Sequence, residues 1–171
     1  MILWLIGISG AGKTTLGRKL EKHFERLGKK CYLLDGDDVR DFFDRDLGYS
    51  DADREANIKR IILGAYILDK NDIIGIICNI GPLEYMRQFA RKKIAGYNEI
   101  YLRKDLSDSM KNDVKGMYKK NLGKTKIIGI DSTFDEPLSP DLVLEIDYES
   151  EIESYQKILN YIVEKYGEKY R

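Results

Sequence analysis

Residues Gly7-Ile8-Ser9-Gly10-Ala11-Gly12-Lys13-Thr14 carry glycine, glycine-lysine and threonine at the spacing G-x-x-x-x-G-K-[ST]. Each residue type has a task in holding a polyphosphate. The glycines let backbone N–H groups turn toward an anion with no Cβ in the way. A helix opening directly after the loop adds the partial positive charge of its N-terminus. Lys13 is placed to reach the β- and γ-phosphates, and the Thr14 hydroxyl to bind Mg²⁺. Ser9, Gly10, Ala11, Gly12, Lys13, Thr14 and Thr15 are therefore the expected contacts of a nucleoside triphosphate. The plainer reading is a glycine-rich turn, but the loop has the apolar run before it and the helical pattern after it that a phosphate loop requires.

Further along, Leu33-Leu34-Asp35-Gly36-Asp37-Asp38-Val39-Arg40 puts three aspartates into four positions after another apolar run. Negative charge beside a phosphate cradle makes sense if a phosphoryl group is transferred to a hydroxyl, whose proton must go somewhere. The single histidine, His23, falls on the first helix as an ordinary half-buried residue. That leaves a carboxylate as the base, or no base at all. Phosphoryl transfer has a loose transition state, so a weak base suffices and positioning matters more. An aspartate just past a strand end can face both the metal and the acceptor hydroxyl. Arg40, one helical turn on, can face an anionic acceptor. The plainer reading is that Asp35 or Asp38 merely caps a short helix, and of the two Asp38 is the expected cap.

The elements that must position these residues follow from periodicity. Strands are expected at Ile2–Ile6, Cys31–Leu34, Ile73–Cys78, Glu99–Leu102 and Leu142–Ile146. A helix is expected from Lys13 to Leu27, with Leu16, Leu20, Phe24 and Leu27 inward and Gly28 as its stop. Ser50 opens a second helix whose stripe runs through Ala56, Ile61, Ala65 and Leu68. Pro82 is read as opening another that ends near Gly96. Ser150 and Glu153 form a capping box for the last, with Tyr155, Leu159, Ile162 and Tyr166 inward. Strands alternating with helices make an α/β fold, a mostly parallel five-stranded sheet with helices on both faces. Ligands in such folds sit beyond the carboxyl ends of the strands, so the phosphate loop and the aspartate cluster should share one crevice.

Many protein classes use this loop. A GTPase should carry an Asn-Lys-x-Asp element after a late strand, and the nearest look-alike, Asp69-Lys70-Asn71-Asp72, ends a helix before the third strand. A motor needs a longer chain. A small single-domain kinase spanning 1–171 fits best. The composition, 43% hydrophobic and 34% charged, is that of an ordinary soluble domain. Basic and acidic side chains balance at 29 each, which argues against a nucleic-acid binder. No apolar run reaches membrane-spanning length, and the apolar opening lacks the charged leader of a signal peptide. Cys31 and Cys78 both lie in apolar runs and are expected as reduced core residues. These features point to the cytoplasm and to no membrane partner.

Several long motifs then become specific. GISGAGKTT (7–15), LLDGDDVR (33–40), DLGYSDADREANIKRI (46–61), DVKGMYKKN (113–121), IGID (128–131) and PLSPDLVLEI (137–146) resemble, in order and spacing, the adenylyl-sulfate kinases, over nearly the whole chain. That family has a P-loop kinase fold and uses MgATP to phosphorylate the ribose 3′-hydroxyl of adenosine 5′-phosphosulfate. The resemblance implies Asp37 as the base and, with Thr14, a metal ligand, and Lys13 as the second catalytic group. It implies acceptor contacts from Arg40, Arg54 and Asn57, from Tyr49 as the aromatic covering the base, from Ile80 and Gly81 after the third strand, and from Ile127. Lys115, with Lys119 and Lys120, matches a basic lid segment. A homodimer is compatible with it.

Three departures stand out. The family's Ser-Pro-aromatic-Arg is Gly81-Pro82-Leu83-Glu84 in this chain, and its Phe-Thr-Gly-Ile-Asp is Ile127-Ile128-Gly129-Ile130-Asp131. The lost phenylalanine is the second face of a sandwich around adenine, and stacking a base on an aromatic is worth ~1–3 kcal/mol. Intact transfer residues with altered acceptor segments suggest a different acceptor. Relatives in bacterial capsule biosynthesis phosphorylate cytidine diphosphoramidate, which becomes the first expectation. Adenylyl sulfate is the second, and a nucleotide-binding regulator without turnover is the third.

Overall fold

Strand β1 (Ile2–Ile6) is buried along its whole length in the computed structural model, which describes residues 1–105 and 134–171. Successive strand residues point to opposite faces. Ile2, Trp4 and Ile6 pack with Ile58, Ile61, Ile62, Met86 and Ala90. Leu3 and Leu5 pack with Leu16, Leu20, Phe24, Ile158 and Ile162. A strand apolar on both sides needs a helical layer above and below it.

Both layers are present. Strands β2 (Cys31–Asp35), β3 (Ile74–Cys78), β4 (Tyr97–Arg103) and β5 (Leu142–Glu145) join β1 in the order β2-β3-β1-β4-β5, and every pairing is parallel. Helices α1 (Lys13–Arg26) and α5 (Glu151–Tyr166) cover one face. Helices α2 (Gly36–Phe42), α3 (Asp51–Lys70) and α4 (Glu84–Lys93) cover the other. This is the expected α/β architecture. The connection leaving β1 runs to β2, while that leaving β3 crosses to β4 on the opposite side of β1. Their divergence opens a crevice at the carboxyl ends of the strands. In register, Leu5 and Asp35 both stand opposite Cys78. The chain therefore leaves β1 at Gly7, β2 at Gly36 and β3 at Asn79 along the same edge.

Helix α1 lies close against the sheet. A Cβ at Gly17 would stand 2.7 Å from the Cys78 sulfur and 2.9 Å from Leu33 Cδ1. Its inward stripe is Leu16, Leu20 and Phe24, but Leu27 is the exposed C-cap rather than a core residue. The Gly28 N–H bonds Glu25 O and the Lys29 N–H bonds Phe24 O, which closes the helix as a Schellman turn. Helix α3 buries Ile58 and Ile62 beside Ile61 and Ala65, while Ala56 and Leu68 are only half-buried. Helix α4 starts at Glu84 and not at Pro82. Gly81 is still in a left-handed turn, and the Pro82 carbonyl accepts from the Asp135 N–H outside any helix.

The last helix carries the complete capping box: Ser150 Oγ accepts from the Glu153 N–H and the Glu153 carboxylate accepts from the Ser150 N–H. Ser150→Ala is expected to cost about 1 kcal/mol and to lower Tm by about 2–4 °C in a thermal melt. Both cysteines are free, with Cys31 opposite Ile74 and Cys78 opposite Asp35 at the two ends of the β2–β3 pair. Burial pushes the Cys78 thiol up to about 12. Among the described residues no helix is long and apolar enough to cross a membrane.

Candidate active site

The phosphate loop joins β1 to α1. Gly10 and Gly12 take φ of 78° and 90°, and a Cβ on either would meet nothing within 4 Å. Both glycines thus border open space on the side where the loop presents its backbone. Ala11 is buried in the core beneath, Ser9 is half-buried and Thr15 is exposed. Gly12 is the N-cap of α1, whose first turn holds no acidic residue. Lys13 Nζ donates to the carbonyls of Gly7 and Ile8, each at 2.8 Å, so the ammonium lies folded over the loop. A concave backbone, an uncompensated helix N-terminus and a nearby lysine fit a polyphosphate.

Beside the loop, the Thr14 hydroxyl donates to Asp35 Oδ2 at 2.7 Å. The other oxygen, Asp35 Oδ1, accepts from the Asp37 N–H at 3.0 Å and caps α2. The expectation that Asp38 caps is therefore corrected. The helix begins at Gly36, the residue before it has extended backbone (φ −88°, ψ 141°), and Asp37 and Asp38 both fall inside the first turn. A hydroxyl and a carboxylate together suit Mg²⁺, which takes one or two protein oxygens and fills its octahedron with water and phosphate. The Thr14 partner is Asp35; Asp37, assigned to the metal from sequence, makes no side-chain hydrogen bond to the described residues and is exposed. Its carboxylate is available to a hydroxyl entering the crevice.

One helical turn past Asp37, Arg40 meets Arg54 on one ring. Arg40 is buried, lies 4.7 Å from the Tyr49 ring centroid, and donates to the carbonyls of Leu47 (3.1 Å) and Gly48 (2.9 Å). Arg54 lies 5.6 Å from the same centroid and donates to Tyr49 O. The Arg54 guanidinium has its pKa lowered first by burial and then by the charge of Arg40. A cation disfavoured by burial and by a neighbouring cation, as Arg54 is, would gain from an anion beside it. Asn57, buried on α3, donates from Nδ2 to Gly36 O, and its Oδ1 has no partner. Asn79 accepts from the Trp4 indole N–H at 2.8 Å and leaves its own Nδ2 unpartnered. The structure thus brings Asn57 and Asn79 both against Gly36. Sequence reasoning missed Asn79, although a polar residue ending an apolar strand was a usable signal.

The exit from β3 completes the edge. Ile80 O accepts from the Gly7 N–H at 3.3 Å, which ties this loop to the phosphate loop. Gly81 has φ 58°, and a Cβ there would stand 2.8 Å from Ile6 Cγ2, so the missing serine has a backbone cause. Glu84 is paired with Arg87 and accepts from Gln88 Nε2 at 2.6 Å. The charge change at this position is therefore spent inside the protein. Lys115, Lys119, Lys120 and Ile127 lie outside the described residues. His23 is half-buried and bonds Tyr170 O, away from the crevice.

Residues 1–145 match the adenylylsulphate kinase family. The adenylyl-sulfate kinase of Halothermothrix orenii is 39% identical over 165 residues, covering 95% of this chain and 89% of that protein. The adenylyl-sulfate kinase of Bacillus pumilus is 38% identical over 168 residues, covering 96% and 85%. Among solved structures, the Mycobacterium tuberculosis APS kinase CysC in complex with AMPPNP and APS superposes with a TM-score of 0.87 at 33% identity, covering 94% of this chain and 96% of that one.

Proposed function

The chain belongs to the adenylylsulphate kinase family, and on that premise we propose that it transfers the γ-phosphoryl group of ATP to the ribose 3′-hydroxyl of adenylyl sulfate. The reaction class, an ATP-dependent phosphotransfer to an alcohol, rests on its kinase relatives and the intact phosphate loop. The observation that carries the acceptor side is the pair Arg40 and Arg54 on the Tyr49 ring, a cationic and aromatic cluster whose Arg40 lies one helical turn past Asp37 on α2. It suits an acceptor with a flat base and an anionic 5′ group.

In this reading the loop N–H groups and Lys13 bind the phosphates, with Lys13 exchanging the carbonyls of Gly7 and Ile8 for phosphate oxygens. Thr14 and Asp35 would hold Mg²⁺, which supplies charge neutralisation at the phosphate oxygens when bound. Asp37 accepts the proton of the 3′-hydroxyl and aims it. Arg40 and Arg54 bind the acceptor's anionic group, and Tyr49 covers its base. Ile80, Gly81 and Asn57 border the sugar, and Lys115 and Ile127 are proposed contacts on sequence grounds alone.

The relatives favour adenylyl sulfate, the second expectation, over cytidine diphosphoramidate. Two of the three departures that motivated the cytidine compound also have local causes, the left-handed turn at Gly81 and the ion pair of Glu84. The test is kcat/KM for both acceptors at one saturating ATP concentration. A higher value for adenylyl sulfate is expected. A higher value for the cytidine compound reverses the acceptor assignment, and ATP binding without turnover of either would make the protein a nucleotide-binding regulator.

A further inference from the structure

Arg87 sits one turn into α4 with 3% of its surface exposed. Its Nη1 donates to Gly81 O. Its Nη2 donates to Asp135 O at 2.7 Å and to the Glu84 carboxylate. Nε has no hydrogen bond, lies 3.9 Å from the buried Glu99 carboxylate, and the guanidinium carbon stands 5.8 Å from the Phe134 ring centroid. The surrounding backbone closes on the same point. The Glu84 N–H bonds Asp135 Oδ2 at 3.0 Å, and the Asp135 N–H bonds Pro82 O at 2.8 Å. One planar fork thus fixes the β3 exit loop, the start of α4 and the strip Phe134–Asp135. Through Ile80 O and the Gly7 N–H, the clamped loop is bonded in turn to the phosphate loop.

We propose that Arg87, charge-balanced by Glu84, is a positioning residue that sets the acceptor loop at Ile80–Gly81 relative to the phosphate loop. It touches neither substrate. Its effect is geometric, since transfer needs the hydroxyl in line with the γ-phosphate, and a displacement near 1 Å can cost on the order of 10²-fold. Glu84, in the place where the family carries arginine, then acts on the loop and not on the acceptor's identity. Only a guanidinium can make this fork; a lysine ammonium reaches one or two of the three oxygens. The inference rests on the reading of Ile80 and Gly81 as acceptor neighbours.

The experiment compares wild type, Arg87→Lys and Glu84→Gln for transfer to adenylyl sulfate and cytidine diphosphoramidate, with KM for ATP and acceptor-independent ATP hydrolysis measured alongside. Arg87→Lys should lower acceptor kcat/KM by about 30-fold or more. Glu84→Gln should lower it by roughly 3- to 10-fold, because the neutral amide keeps the shape and loses the charge assistance. KM for ATP and the uncoupled hydrolysis should stay within about twofold, and the ratio between the two acceptors should not move. Wild-type transfer by both variants would overturn the inference. So would a matching loss in ATP KM, which marks general damage, or a changed acceptor ratio, which makes the pair a reader of the acceptor. If Arg87→Lys does not fold, Glu84→Gln decides alone, and wild-type kinetics in it count against the clamp. A wild-type protein that transfers to neither acceptor removes the proposed function and this inference together, whereas normal transfer with indifferent variants removes only the inference.

Discussion

Replacing Lys13 with alanine is expected to lower phosphoryl transfer by about a thousandfold, the upper scale for removing one preorganised donor at developing charge. Charge accumulates on the phosphate oxygens during transfer, and Lys13 is the cation that opens the phosphate-loop helix. In the structure its ammonium donates to the Gly7 and Ile8 carbonyls, so alanine leaves no buried cation behind and takes a donor from both of those oxygens. The fold should survive, which a thermal melt checks. The measurement is single-turnover transfer at saturating ATP. Turnover near wild type from a folded Lys13→Ala protein would remove the lysine from the chemistry.

Asp37→Asn is expected to lower kcat by roughly 10²-fold or more, with KM for ATP little changed. The asparagine keeps the size and the first-turn position on α2 but cannot take a proton. Asp35→Asn is the informative contrast. Asp35 accepts from both Thr14 Oγ1 and the Asp37 N–H, so its loss should raise the Mg²⁺ concentration needed for half-maximal rate and also weaken α2. Steady-state kinetics across Mg²⁺ concentrations separates the two. If Asp37→Asn keeps its rate while Asp35→Asn loses it at every Mg²⁺ concentration, the base is Asp35.

Where local chemistry decides the structure, the sequence was legible. The GxxxxGKT spacing, the stripe Leu16–Leu20–Phe24, the Gly28 stop and the Ser150 capping box each depend on neighbours in the chain, and each stands where expected. The failures are matters of partnership across the fold. Asp35 and Asp38 are equally good caps on paper, and the end of β2 made the choice. Glu84 looked like an acceptor-facing charge because nothing in sequence announces that Arg87, three residues on, turns inward to meet it. The bond from Trp4 to Asn79 spans 75 positions and joins β1 to the residue that follows β3, which periodicity alone cannot register.

The close seat of α1 on the sheet bears on what the protein must rearrange during a turnover. With Gly17 against the Cys78 sulfur and the Leu33 side chain, the helix that carries the phosphate loop has no depth into which to recoil. The Cys78 thiol also donates to Lys13 O at 3.4 Å, tying the first turn of that helix to the end of β3. The backbone dipoles of the phosphate loop are therefore held in orientation without a nucleotide present. In water those dipoles would have to turn with each shift of charge, and that reorganisation is a large part of the uncatalysed barrier. A helix that cannot sink removes the need for it on the donor side.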